Sequence, residues 1–157
     1  MPHFALRPFT QADRPGLLAL APRFVAFDLP DWHDPAEVVA ANARLLSELQ
    51  PGEPDALVLV ADGEMGLAGF VEVRLEYDAF SAAPQAYLAS LAVAPEAEGQ
   101  GLGRALVAAA EDWARARGLP ALTLHVFAAN TRARGFYASL GFQEDTLKLI
   151  KPLKEPT

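Results

Sequence analysis

The sequence predicts an α+β fold, a mixed sheet with helices on its faces, and three observations predict it. The expected elements run strand, two helices, a three-strand meander, helix, strand, helix, strand, an order that belongs to neither a barrel nor a bundle. At 157 residues, 52% hydrophobic and 21% charged, residues 1–157 read as one domain able to bury its own core. A glycine-rich loop, Gly99-Gln100-Gly101-Leu102-Gly103, joins an apolar strand to the strongest amphipathic helix of the chain.

Each element has its own warrant. Phe4, Leu6 and Pro8 alternate with Ala5 and Arg7 as a short strand, and Thr10 with Asp13 three positions on reads as a capping box for a helix through Leu20. Ala21 to Asp34 is irregular, broken by Pro22 and Pro30. Asp34 as N-cap, Pro35 at the first helical position and Glu37 closing a second capping box open a helix that Pro51 and Gly52 end. The meander follows as Ala56 to Ala61, Leu67 to Tyr77 and Tyr87 to Val93, its middle strand presenting Phe70, Glu72, Arg74 and Glu76 on one side. Leu102, Leu106, Ala109 and Trp113 recur at helical spacing up to Arg117, where Gly118 and Pro120 stop the helix. Ala121 to Phe127 predicts a strand, Thr131 to Leu140 a helix capped by Gly141, and Thr146 to Leu153 a final strand.

Composition narrows the chemistry. With no cysteine there is no disulfide scaffold, thiol nucleophile or thiolate zinc site, and no metal is expected. The first residues lack the pattern of a signal peptide and no run approaches the ~18 apolar residues of a membrane span, so a soluble, cytoplasmic protein without a membrane partner is expected. Thirteen basic against 20 acidic residues, net −7, argues against general nucleic-acid binding, which needs a basic surface. The charge is uneven: residues 1–100 carry −10 and residues 101–157 carry +3.

Three glycines in five positions let backbone amides converge on a ligand beside the positive end of a helix dipole, which suits phosphate. The spacing excludes two familiar phosphate loops. Arg104-Ala105 stand where a nucleoside-triphosphate loop needs Lys then Ser or Thr, and a Gly-x-Gly-x-x-Gly fingerprint fails from both Gly99 and Gly101.

Leu91-Ala92-Val93-Ala94-Pro95 with Gly99-x-Gly101-x-Gly103, and later Asn130-x-x-Ala133-x-x-Phe136-Tyr137-x-x-x-Gly141-Phe142, resemble the two signature stretches of the GNAT superfamily of acetyl-CoA-dependent N-acetyltransferases. The resemblance covers residues 85–142 and implies a mostly antiparallel central sheet with helices on both faces. It implies acetyl-CoA as co-substrate, with backbone groups of Leu91 and Val93 along the pantetheine arm. The amides of Gly99, Gln100, Gly101, Leu102, Gly103 and Arg104 would surround the pyrophosphate, with Asn130 and Ala133 on the other side of the arm. Tyr137 matches the tyrosine proposed as general acid for the departing thiolate, and a homodimer is a reasonable expectation. Arg104, Arg132 and Arg134 are candidates for the outer phosphates. Glu98 departs from the usual Gln or Arg and is assigned a backbone role, its carboxylate turned outward. Gly135 costs ~1 kcal/mol within a helix, an oddity that a close neighbour would explain.

Transfer to an amine needs a neutral nucleophile, and under ~0.1% of an alkyl amine of pKa ~10.4 is neutral at pH 7. The strand before the glycine loop, where the family often carries a glutamate, holds no acid, and Tyr87 stands near that place. Glu72 and Glu76 on the neighbouring strand are the next candidates, against the alternative of a solvated strand face. His125 reads as a structural strand residue. Asp28, Asp31, His33 and Asp34 lack calcium-loop or His-pair spacing and read as helix capping plus part of an acceptor pocket, with Phe24, Phe27, Trp32, Phe80 and Tyr87 as candidate walls. The acceptor is a small-molecule or peptide amine, and the acidic first hundred residues favour a cationic one. The alternative is a non-catalytic sensor or interaction domain that keeps the CoA cleft without turnover.

Overall fold

The computed structural model describes residues 4–154. Strand β1 (Leu6–Pro8) leads into a 3₁₀ turn and helix α1 (Arg14–Ala19); a second 3₁₀ turn (Ala21–Val25) and a loop reach α2 (Pro35–Ser47). The meander is β2 (Ala56–Gly63), β3 (Gly66–Tyr77) and β4 (Pro84–Val93). Helix α3 (Leu102–Ala116), the two-residue β5 (Leu122–Thr123) and α4 (Thr131–Ser139) complete the regular structure. The strands lie in the order β1-β2-β3-β4-β5, antiparallel until β5, which runs parallel to β4. This is the expected mixed, mostly antiparallel sheet.

Two adjacent residues show that helices cover both faces. A Cβ on Gly69 would lie 3.0 Å from Leu102 and 3.4 Å from Leu106, so α3 packs there without a side chain between. Phe70, the next residue, points the other way by the strand's period of two, and its ring meets Phe24 edge-on at 6.3 Å. Val60, Phe70, Val71, Val73, Leu102 and Leu106 are buried on either side of the sheet, each such side chain worth ~1.5–3 kcal/mol of transfer energy. On α3 the buried stripe is Leu102, Leu106, Val107, Ala110 and Ala114, while Trp113 lies at its edge with the Arg117 guanidinium 4.4 Å over its ring.

Several expectations hold at atomic detail. The Asp13 carboxylate reaches back to the Thr10 N–H at 2.8 Å, and Asp34 caps α2 through the Ala36 N–H at 2.9 Å. Others are corrected. Asp34 caps alone, without the reciprocal bond expected of Glu37. The polar side of β3 is not a solvated face, because Glu72 is only 6% exposed. The strand expected over 121–127 is regular only at Leu122–Thr123, because β5 pairs with β4 at Ala86 and Tyr87 and then diverges from it. The final strand expected over 146–153 does not form, since residues 143–154 lie exposed with no sheet edge beside them.

Candidate active site

The divergence of β5 creates the central feature. In an antiparallel pair, alternate residues turn their backbone groups to opposite edges. The Ala94 N–H bonds the Ala68 carbonyl at 2.8 Å, and with Ala92 opposite Phe70 this places the even-numbered residues at the end of β4 in the ladder with β3. Leu91 and Val93 therefore turn their amides and carbonyls toward the edge that β5 has left. One of these groups is already engaged: Arg23 Nε donates to the Val93 carbonyl at 3.0 Å.

The glycine loop closes one end of this slot. Gly99 and Gly101 have φ of +75° and +82°, the left-handed region where a side chain is strained, and Gly101 is the N-cap of α3. Gly103 is glycine for space, because its Cβ would sit 3.2 Å from the Phe136 ring. That contact brings α4 against the first turn of α3. On α4, Asn130 Oδ1 accepts from the Ala133 N–H at 3.2 Å, so both residues serve first as a helix cap and the Asn130 NH₂ is left to donate elsewhere. Tyr137 packs edge-on against Phe142 at 5.5 Å, and burial pushes its phenol up to about 12. Nothing lies within 4 Å of where a Gly135 side chain would be, and the structure gives no reason for that glycine.

The cations around the slot are not equally free. Arg134 is drawn away to the Ala128 carbonyl, at 3.1 Å, and to Glu144. Arg104 is exposed, its contact a long one to Ser139 Oγ at 3.4 Å. Arg132 donates to Glu98 at 3.2 Å, and Arg23 pairs with the other Glu98 oxygen. The Glu98 carboxylate, expected to turn outward, instead ties the loop after β4 to the second 3₁₀ turn and to the first turn of α4.

On the α1 and α2 face of the sheet, the candidates Glu72, Glu76 and Tyr87 come together. Glu72 is opposite Ser90 and Glu76 opposite Gln85 across the β3–β4 ladder, with Tyr87 opposite Arg74 between them. Arg74 donates to Glu72 at 2.8 Å and to Glu53 at 2.7 Å, and Ser90 Oγ lies 3.4 Å from Glu72. Glu76 Oε2 accepts from Gln85 Nε2 and Thr123 Oγ1, both at 3.2 Å, which leaves its second oxygen open. Burial, then the charges of Glu76 and Glu72, raise the Tyr87 phenol above its usual value. The His125 ring meets Tyr87 edge-on at 5.6 Å, adding an imidazole to this strip.

The loop before α2 meets the chain that continues from β5, with Phe27 5.6 Å and His33 5.2 Å from the Phe127 ring. Its hollow includes Phe27, Asp28, Asp31 and His33. Trp32 is half exposed beside His33, Phe24 belongs to the core against Phe70, and Phe80, 84% exposed at the β3–β4 turn, contributes no wall. Arg23, Ser90, Thr123 and Phe127 were not foreseen. Ser90 could have been, as the polar residue in an otherwise apolar strand end; Arg23 carried no local signal, because its partners lie 70 and 75 positions away. Among the described residues no cluster of three or more His, Asp or Glu could hold a metal ion, and no helix is long and apolar enough to cross a membrane.

Comparison with known proteins adds to this geometry. The model of the "Acetyltransferase (GNAT) family" matches residues 21–142. The chain is 29% identical over 136 residues to the uncharacterized N-acetyltransferase YhfO of Bacillus subtilis (strain 168), covering 87% of this chain and 89% of that one. It is 34% identical over 119 residues to the aminoglycoside N(6')-acetyltransferase type 1 of Stenotrophomonas maltophilia, covering 73% and 72%. Among solved structures, a single-substitution mutant of the BH1408 protein of Bacillus halodurans superposes with a TM-score of 0.72 at 22% identity, covering 96% of this chain and 99% of that one, a likeness of fold.

Proposed function

Because the chain belongs to the GNAT family of acetyltransferases, and is an N-acetyltransferase by that membership, we propose that it moves the acetyl group of acetyl-CoA directly to a cationic primary amine. The observation that carries this reading is the slot beside β4, lined by the outward-turned backbone groups of Leu91 and Val93, of which the Val93 carbonyl is held by Arg23, with the glycine loop at one end and an acidic strip at the other. Pantetheine is a thin chain of amides and suits that edge, and its pyrophosphate suits the amides of residues 99–104 at the start of α3. We read residues 1–157 as one domain carrying out this reaction.

The chemistry then follows from the residues. The amine arrives protonated, drawn by Glu72, Glu76, Asp28 and Asp31. Glu72 is held by Arg74 and Ser90, whereas Glu76 has an oxygen open, so Glu76 is the better acceptor of the ammonium proton, directly or through a water. Tyr87, kept protonated by its surroundings, orients the amine by hydrogen bonding. Nitrogen attacks the thioester carbonyl carbon, the C–S bond breaks with its electron pair leaving on sulfur, and the second proton of the attacking nitrogen passes through water to the thiolate, giving the amide and the free thiol.

Tyr137 faces the departing sulfur in this scheme. A phenol held at about 12 is a weaker acid than a thiol of pKa ~8.5, so complete transfer to the thiolate would be uphill by over three units. Its contribution is therefore a hydrogen bond to developing negative charge, worth less than the ~10²–10⁴ of a matched acid. Incubation with acetyl-CoA and a panel of aminoglycosides, polyamines and N-terminal peptides, read by mass of the products, tests the proposal. One class of acetylated amine is expected; acetyl-CoA binding without any acetylated product would instead make the protein a CoA sensor.

A further inference from the structure

We infer that the protein acetylates its own C-terminal segment, each chain using the ε-amines of Lys148, Lys151 and Lys154 as acceptors; the inference rests on the acetyl transfer proposed above. The distribution of basic residues points there. The sequence holds ten arginines and three lysines, and the three lysines fall within seven positions. A guanidinium keeps its charge and offers no amine to this reaction, whereas a lysine ammonium becomes a nucleophile once it loses a proton. The arginines hold the fold together: Arg7 to Asp13, Arg14 to the Leu46 carbonyl, Arg74 to Glu72. The lysines lie exposed, in a segment that belongs to no helix or strand, and among the described residues the backbone of 143–154 makes no backbone hydrogen bond.

The segment sets out from the proposed reaction centre. Phe142, from which it departs, donates its N–H to the Tyr137 carbonyl at 3.1 Å and packs edge-on against the Tyr137 ring at 5.5 Å. Lys148 stands six positions further on, an extended span of about 20 Å to which its side chain adds. Its ammonium can therefore reach a thioester beside Tyr137 without leaving its own chain and without breaking any helix or strand. A tether this short supplies the amine at an effective concentration of order mM.

Charge favours the same encounter. Residues 1–100 carry −10, and the strip offers the open oxygen of Glu76 to an arriving ammonium. The ε-ammonium gives one proton to that carboxylate, directly or through a water, and the nitrogen attacks the thioester carbonyl carbon. The C–S bond breaks with its electron pair on sulfur, and the second nitrogen proton passes through water to the thiolate, leaving an acetyl-lysine and a free thiol. Each event removes one positive charge, so three of them take residues 101–157 from +3 to neutral.

Incubation of the full chain with acetyl-CoA and no added amine, read by intact mass and peptide mapping, tests this. Acetyl groups should appear on these lysines at least about tenfold faster in the folded protein than in the same chain unfolded in urea. The half-time should not change when the protein is diluted, because site and acceptor share a chain. Lys148→Arg, Lys151→Arg and Lys154→Arg together keep the charge and should end the self-modification while turnover of an accepted small amine is unchanged. Equal modification of the unfolded chain would be chemical acetylation and would overturn the inference. So would a half-time that lengthens on dilution, or an untouched tail in a protein that acetylates an added amine. An untouched tail with no acetylated amine in the panel would instead remove the proposed acetyl transfer, and this inference with it.

Discussion

Arg132 Nη2 and a Glu98 carboxylate oxygen lie 3.2 Å apart, joining the first turn of α4 to the loop that follows β4 across the mouth of the candidate cofactor slot. Arg23 holds the other oxygen, so a protein carboxylate engages two of the arginines around the loop where phosphate is proposed to bind.

Removing that charge should tighten cofactor binding. Glu98→Gln frees Arg132, which is 78% exposed, and takes a negative charge away from an anionic ligand. Partly screened charges of this kind are worth ~0.4–1 kcal/mol at low salt, so titration calorimetry should show CoA binding about two- to fivefold tighter. Weaker binding would mean that the carboxylate chiefly orders the loop.

Gly103→Ala tests whether α4 is positioned through Phe136. The new Cβ would lie 3.2 Å from the ring, so the ring must give way and the helix bearing Tyr137 moves with it. Turnover should fall about tenfold while the melting temperature drops by only a few degrees. Equal turnover would show that the Phe136 contact does not set the site.

The acidic strip separates a structural from a chemical carboxylate. Glu72→Gln removes the one buried charge that pairs with Arg74 and should cost about 1 kcal/mol or more of stability in a urea titration. Glu76→Gln keeps its neighbours' hydrogen bonds available and should leave stability nearly unchanged while lowering kcat/KM about 10- to 100-fold. The reverse pattern would exchange their roles.

Acid stability should depend on Asp13. The Arg7 guanidinium bonds both its oxygens, at 2.8 and 2.9 Å, and holds its carboxyl at about 2, below the ordinary 3.8. A folded-state value below the unfolded one stabilises the protein above about pH 4, and that contribution is lost as pH falls toward 2. Asp13→Asn should lower stability at pH 7 by roughly 1–2 kcal/mol and flatten its fall between pH 4 and 2, measured by thermal melts.

Much of this was legible from short-range signals. The capping residues Thr10, Asp13 and Asp34, the period-two runs of the meander and the glycine loop are local chemistry, and each appears where its residues place it. The resemblance of 85–142 to a known family supplied the slot and the place of Tyr137. What escaped depends on partners distant in sequence: Glu98 turning to Arg23 and Arg132, Glu72 buried beneath Arg74, Phe127 meeting Phe27. The strands expected at 121–127 and 146–153 rest on alternating patterns, but a pattern states only which side chains would share a face, not that a sheet edge lies beside them, and only Leu122–Thr123 finds one.

The central claim, acetyl transfer with Tyr137 assisting the leaving thiolate, is tested most directly by measuring release of the free CoA thiol from acetyl-CoA, with an accepted amine, for the unaltered protein and for Tyr137→Phe. Since Tyr137 stays protonated up to about pH 12, the unaltered rate should not fall from its ionisation below about pH 11. The Phe variant should lose about 10- to 100-fold in kcat with CoA affinity within about twofold. Thiol release at the same rate by both proteins would contradict the account.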